Sequence, residues 1–239
     1  MPDKAPPAAG YPVLYMLDGN AVMDKLDDAF LQQLFAGSPP VIVAIGYQTA
    51  LPFDTAARAW DYTPPLKTHE PRAGKPALPP RKTGGNDVFR QLLTETMVPQ
   101  TEANLKIDPH QRAIWGHSYG GLFVLDAWRK ASPFGIYYSA SPSLGQALQS
   151  PLQASQSLDA VRFRGKSLYL LEGDGKARGE PSGHEASLEV LRQTQQQLAS
   201  KGLTVAFWRY PGLTHGQMFE VSLRSALLHL SGQAALAHQ

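Results

Sequence analysis

Gly116-His117-Ser118-Tyr119-Gly120 reads G-x-S-x-G, and it stands where a strand-like run (Arg112–Trp115) gives way to a helix opening at Gly121-Leu122-Phe123. That context gives five residues a meaning. A serine on a sharp strand-to-helix turn presents its hydroxyl, and glycines leave room where a Cβ would meet the tight turn. The helix N-terminus turns unpaired N–H groups and a positive dipole end towards developing negative charge. The chemistry is acyl transfer through Ser118. A serine hydroxyl is a poor nucleophile without a base, and in this arrangement the base is a histidine late in the chain, after the final strand. Of the seven histidines, His215 has that placement, in Tyr210-Pro211-Gly212-Leu213-Thr214-His215-Gly216. His117 adjoins the serine but points away from an elbow turn, and reads as a packing or hydrogen-bonding residue. His69, His110, His184, His229 and His238 read as surface or structural.

Two further roles need residues. An acid that orients the imidazole is expected after the penultimate strand, where Gly173-Asp174-Gly175-Lys176-Ala177-Arg178-Gly179-Glu180 follows Ser167–Glu172. Asp174 and Glu180 are the candidates, with Glu172 a third. The same loop also reads as a plain solvated turn, so a Ser–His dyad stays open beside a triad. An oxyanion hole needs two N–H donors aimed at the tetrahedral oxygen. One is the residue after the nucleophile, Tyr119. The other belongs to the loop Leu17-Asp18-Gly19-Asn20, with Asn20 as first choice and Gly19 as the alternative.

These residues must be held by a scaffold, and the sequence outlines one. Strands are expected at Tyr11–Leu17, Val41–Tyr47, Arg112–Trp115, Gly135–Ser139, Ser167–Glu172 and Thr204–Trp208. Several are apolar throughout, as in a parallel sheet covered on both faces. Helices are expected at Asp24–Phe35, Asp87–Asn104 with a kink at Pro99, Leu122–Lys130, Glu185–Lys201 and Gln217–Leu230. Strand–helix alternation of this kind gives an α/β fold, a doubly wound, mostly parallel sheet with helices on both faces. No repeat or linker divides it, so residues 1–239 read as a single catalytic domain.

Composition narrows the function class. In 239 residues, 43% are apolar and 18% charged, the net charge is +2 and there is no cysteine. Disulfides, thiol catalysis and zinc–thiolate sites are thereby excluded. The modest charge, with no basic stripe interleaved with aromatics, argues against nucleic acid. No run reaches the roughly 18 apolar residues of a membrane span. Met1–Gly10 is polar with three prolines and reads as neither signal peptide nor helix. Tyr62–Gly85 stands apart, with six prolines, three glycines, and Lys67, Arg72, Lys75, Arg81 and Lys82 against Glu70 alone. A loop of that length is functional or disordered.

The segments Tyr11–Asn20, Pro40–Thr49, Leu51–Asp54, Asp61–Pro64, Phe89–Leu93, Trp115–Asp126, Tyr137–Gly145 and Ala206–Trp208 together resemble the esterase-D-like branch of the α/β hydrolases. The match narrows to the trilactone esterases of the enterobactin and salmochelin siderophores. The resemblance implies an α/β-hydrolase fold and hydrolysis of the ester bonds in cyclic or linear catecholoyl-serine oligomers. It carries Ser118 and His215 over as catalytic residues, without a cofactor, in a Ser–His dyad and in the periplasm, with the cytoplasm as the alternative. Members of that family have a leader and early strands ahead of the matching point, so the expected sheet lacks the family's first strands. The substrate would be a catecholate siderophore, aromatic and, with ferric iron, anionic. Any iron would be part of the substrate, and no metal site of the protein's own is implied. Arg72, Lys75, Arg81 and Lys82, with Arg58 and Arg90, are expected to attract it, and Tyr62 and Phe89 to stack on its rings. The segment Lys67–Pro80 departs from the family pattern, which leaves other carboxyl or thioester hydrolases and acyltransferases of this fold as the alternative.

Overall fold

The computed structural model describes residues 1–65, 81–130, 132–144, 159–176 and 183–239. Six strands, β1 (Tyr11–Met16), β2 (Val41–Ala44), β3 (Ile107–His117), β4 (Ile136–Ala140), β5 (Ser167–Gly173) and β6 (Thr204–Tyr210), form one sheet in the order β2-β1-β3-β4-β5-β6. Every pairing is parallel. The apolar runs are explained by burial on both faces. In β1, Val13 and Tyr15 enter one core layer, while Leu14 and Met16 enter the other. Helices α6 (Tyr119–Arg129) and α7 (Gly183–Ser200) and the run from α4 (Asn86–Leu92) to α5 (Val98–Glu102) serve the first layer. The second is closed by α2 (Asp28–Ala36) and α8 (Met218–Leu230). This is the doubly wound α/β-hydrolase architecture. No helix among the described residues is long and apolar enough to cross a membrane.

Several boundaries differ from the sequence expectation for local reasons. The helix expected at Asp24–Phe35 starts later, as α2, where the Asp27 carboxylate caps it by accepting the Phe30 N–H at 2.8 Å, and a separate short helix, α1 (Gly19–Met23), precedes it. At Pro99 the helix does not simply kink. A π turn (Leu93–Met97) precedes it, with the Val98 N–H bonded to the Leu93 carbonyl. β3 begins five residues earlier than its apolar part, since Asp108-Pro109-His110-Gln111 is not apolar and is mostly exposed, yet extended. An eight-residue helix, α3 (Thr55–Tyr62), was not foreseen. Its Asp54 cap accepts from the Ala56 and Ala57 N–H groups at 3.2 and 2.9 Å. Tyr62 therefore ends a helix instead of opening the proline-rich loop.

Candidate active site

Ser118 follows β3 directly and serves as the N-terminal cap position of α6, with φ 59° and ψ −115°. This conformation is costly for a residue with a Cβ and persists only where the surroundings enforce it. They do so here: the Ser118 N–H donates to the Ala140 carbonyl at 3.0 Å, and the Leu122 N–H closes the first turn on the Ser118 carbonyl at 3.0 Å. The glycines divide by necessity. A Cβ on Gly116 would stand 2.5 Å from the Gly120 carbonyl carbon, and one on Gly121 would stand 2.5 Å from the Ala140 oxygen. A Cβ on Gly120 would meet nothing nearer than a Leu17 methyl at 3.5 Å, an ordinary contact. The second glycine of the motif is thus not demanded by space, whereas Gly121 beyond it is.

His215 reaches the site from the loop between β6 and α8. Its Nε2 lies 3.2 Å from Ser118 Oγ. That loop is pressed against the end of β5, where the Gly175 N–H donates to the Leu213 carbonyl at 2.8 Å. His117 braces it from below: its buried ring donates from Nε2 to the His215 main-chain oxygen at 2.8 Å, and the two rings stand 4.7 Å apart. Burial, then the neighbouring His215 and Arg58, pull the His117 pKa down from 6.5 to about 3, although its bond to the His215 oxygen acts the other way. His117 is therefore a neutral donor, which agrees with its reading as a hydrogen-bonding residue.

The main-chain N–H groups of Tyr119 and Asn20 are the two donors that the sequence offers for an oxyanion hole. Tyr119 opens α6, and Asn20 stands in the first turn of α1, positions whose N–H groups have no partner within the helix. Gly19 differs, because its N–H donates to the Ile45 carbonyl at 2.7 Å. Its missing Cβ serves that same approach, since a Cβ would stand 2.7 Å from the Ile45 carbonyl carbon. The Asn20 side chain secures the neighbouring loop, donating to Tyr47 and Thr49 carbonyls at 3.1 and 3.0 Å and accepting from the Tyr47 N–H at 2.8 Å.

The family model described as "Putative esterase" matches residues 1–230. The chain belongs to this esterase family. It is 47% identical over 236 residues to the apo-salmochelin esterase of Escherichia coli O6:H1, covering 98% of this chain and 74% of that one. It is 37% identical over 250 residues to the ferri-bacillibactin esterase BesA of Bacillus subtilis, covering 97% and 83%. Among solved structures it is similar to the enterobactin hydrolase IroE in complex with DFP, at 46% identity and a TM-score of 0.84, over 97% of this chain and 86% of that one.

Other residues singled out in the esterase's sequence are placed differently. Tyr62 is fully buried, with its hydroxyl accepting the Asp18 N–H at 3.2 Å, and Phe89 packs on Phe123 in the same layer at 5.1 Å. Neither ring is available to a substrate. Arg58 is only 12% exposed and forms a bidentate pair with buried Asp18, Nε to Oδ1 and Nη2 to Oδ2 both at 2.8 Å. Burial alone would lower its pKa, but the Asp18 hydrogen bonds and charge outweigh that and raise it. Its Nη2 also reaches the His117 carbonyl at 3.4 Å. Arg58 thus ties the turn carrying Asn20 to the elbow carrying Tyr119, a structural link where substrate contact was expected.

Arg90 pairs with Asp87 at 3.1 Å, within its own helix α4. Arg81 and Lys82 are exposed and make no ion pair among the described residues. Arg72, Lys75 and Glu180 lie outside the described residues. Asp174 faces away from the imidazole: it accepts from the Gly212 N–H at 2.5 Å and from Arg209 Nε at 2.7 Å, and these bonds, in that order, lower its pKa. Glu172, 3% exposed, accepts from Ser141 Oγ at 2.6 Å and from the Gly173 N–H at 3.1 Å. Sequence reasoning missed Asp18, Ser141, Ser143 and Phe53. Only Asp18, within the oxyanion loop, carried a local signal.

Proposed function

We propose that the chain is a serine esterase that cleaves the ester bonds of a catecholate siderophore trilactone of the enterobactin or salmochelin kind. The observation that carries the catalytic reading is the 3.2 Å approach of His215 Nε2 to Ser118 Oγ at a strained elbow. Identity to esterases of salmochelin and bacillibactin over nearly the whole chain supports the substrate class.

In this reading Ser118 Oγ attacks the ester carbonyl carbon and its proton passes to His215 Nε2. The carbonyl oxygen becomes an oxyanion, received by the Tyr119 and Asn20 N–H groups. Collapse breaks the bond to the leaving seryl oxygen, which takes the proton from His215. Water then repeats the sequence on the acyl-enzyme, releasing the acid and restoring Ser118. The ferric complex is proposed as a substrate alongside the free ligand. Exposed Arg81 and Lys82 favour an anion electrostatically. The aromatic contact falls to Phe53, 36% exposed, whose ring lies 5.4 Å from Arg58 Cζ and 5.7 Å from Phe219, itself 5.5 Å from His117.

The test is chromatography of products after incubation with a catecholate trilactone, with and without iron. Linear trimer, dimer and monomer are expected, and an intact trilactone beside rapid cleavage of simple esters would overturn the substrate. The periplasm is proposed as the compartment. Activity confined to the cytosolic fraction of the source cells would reverse that.

A further inference from the structure

Ser118 Oγ has two hydrogen-bonding neighbours. Besides His215 Nε2 at 3.2 Å, Ser143 Oγ lies 2.9 Å away. A hydroxyl carries one proton, so it donates to one neighbour at a time. If the Ser118 proton lies towards His215, where attack requires it, the shorter contact must be filled by the proton of Ser143. If Ser118 donates to Ser143 instead, the nucleophile is turned away from its base. The position of one proton on Ser143 therefore decides which state the site rests in.

The turn that presents Ser143 is held from several sides. The Ser143 N–H donates to the Ser118 carbonyl at 3.2 Å, so the two residues are joined through main chain as well as side chain. Ser141, two residues earlier, has φ 39°, a left-handed conformation that residues with a Cβ rarely adopt. It is kept there by its N–H on the Leu171 carbonyl at 2.8 Å and its hydroxyl on buried Glu172 at 2.6 Å. A strained turn fixed this thoroughly beside a reacting atom is the kind of feature that persists for function. Glu172, which the sequence offered as an orienter of the imidazole, holds the turn that carries this second hydroxyl.

We infer that Ser143 is a further catalytic residue, whose hydroxyl donates to Ser118 Oγ, directs the Ser118 proton to His215 and steadies Oγ when it leaves as alkoxide during deacylation. The inference rests on the reading of Ser118 as nucleophile. No additional bond is made or broken. Ser143 keeps its proton, and its hydroxyl contact with Ser118 strengthens as charge grows on Oγ, where hydrogen bonds are strongest.

The experiment compares wild type, Ser118→Ala, Ser143→Ala and Ser143→Cys in stopped-flow acylation by p-nitrophenyl acetate, in steady-state turnover, and in inhibition by a linear catecholoyl-serine product. Ser118→Ala should give no burst, and a persisting burst there would sink the nucleophile assignment by itself. With that control in place, Ser143→Ala should lower acylation and kcat by roughly ten- to hundredfold, the range for a hydrogen bond to a charged group. KM and product inhibition should stay near wild type. Ser143→Cys, a weaker donor of similar size, should fall between the two. Wild-type rates in both Ser143 variants would overturn the inference, and so would a faster Ser143→Ala enzyme, which would mean that Ser143 holds the resting serine away from its base. Should the alanine variant fail to fold, a cysteine variant at the wild-type rate overturns the inference by itself.

Discussion

His117 donates from its ring Nε2 to the main-chain oxygen of His215 at 2.8 Å, so the residue before the nucleophile supports the residue that serves as its base. Burial, then the adjacent His215, lowers the His117 pKa to about 3, although the bond itself favours the charged ring. The unfolded chain takes up that proton near 6.5, so between the two values it binds more protons than the folded state. The stabilising contribution is complete above about pH 6.5 and declines as the pH falls towards 3. His117→Gln keeps an N–H donor and removes the titration. Its melting temperature should fall less than that of wild type between pH 7 and 4. Parallel curves for the two proteins would show that another group sets the acid sensitivity.

Ser118→Ala should abolish ester cleavage in a folded protein, with losses of about 10⁶-fold typical when a triad nucleophile is removed. His215→Ala should be comparably inactive, and wild-type activity should fall on the acid side as the imidazole takes up its proton. A folded Ser118→Ala enzyme that kept most of its rate would refute the assignment.

Asp174 binds Gly212 and Arg209, and so supports the loop of His215 without touching its ring. Asp174→Asn should therefore cost less than about tenfold in kcat. Loss of a carboxylate that orients the imidazole costs on the order of 10⁴-fold. Steady-state kinetics separate the two, and the larger loss would restore Asp174 as the orienter.

What could be read from the sequence follows from what is local. Apolar strands were visible because both faces of β1 are buried, with Tyr15 in one layer and Met16 in the other. The elbow and the histidine loop were visible because turn chemistry and chain order are sequence properties. Tyr62 and Phe89 misled because an aromatic beside a basic loop looks the same whether it meets a ligand or a core. The Tyr62–Phe89–Phe123 packing that decides it spans three helices. Arg58 misled likewise, since its partner Asp18 is forty residues away. Ser143 left no trace, because it meets Ser118 only through the adjacency of β3 and β4.

Arg58 offers a direct test of the oxyanion geometry. Its two bonds to Asp18 and its contact with the His117 carbonyl join the two turns that present N–H donors. Arg58→Lys retains the charge but not the planar fork. It should lower kcat by about tenfold or more with little change in KM, because the oxyanion exists only beyond the ground state. Arg58→Ala should also lose about 3–5 kcal/mol of stability by leaving Asp18 buried and unpaired. A Lys variant altered in KM alone would return Arg58 to the substrate-binding role that its sequence position suggested.

Phe53 is an exposed ring joined to the paired histidines through Phe219, and Arg58 lies over its face. A catechol ring stacked there would gain roughly 0.5–1.5 kcal/mol beyond its area burial, up to about tenfold in binding. Phe53→Ala should then raise KM for a catecholate trilactone by several-fold, while cleavage of p-nitrophenyl acetate stays near wild type because the small acyl group does not reach the ring. Phe53→Tyr or Phe53→Trp should preserve the trilactone KM, since each keeps a stacking face. Equal loss on both substrates would mean that Phe53 acts through Phe219 and His117 on the catalytic loop. No loss on either would leave the exposed ring outside the substrate path.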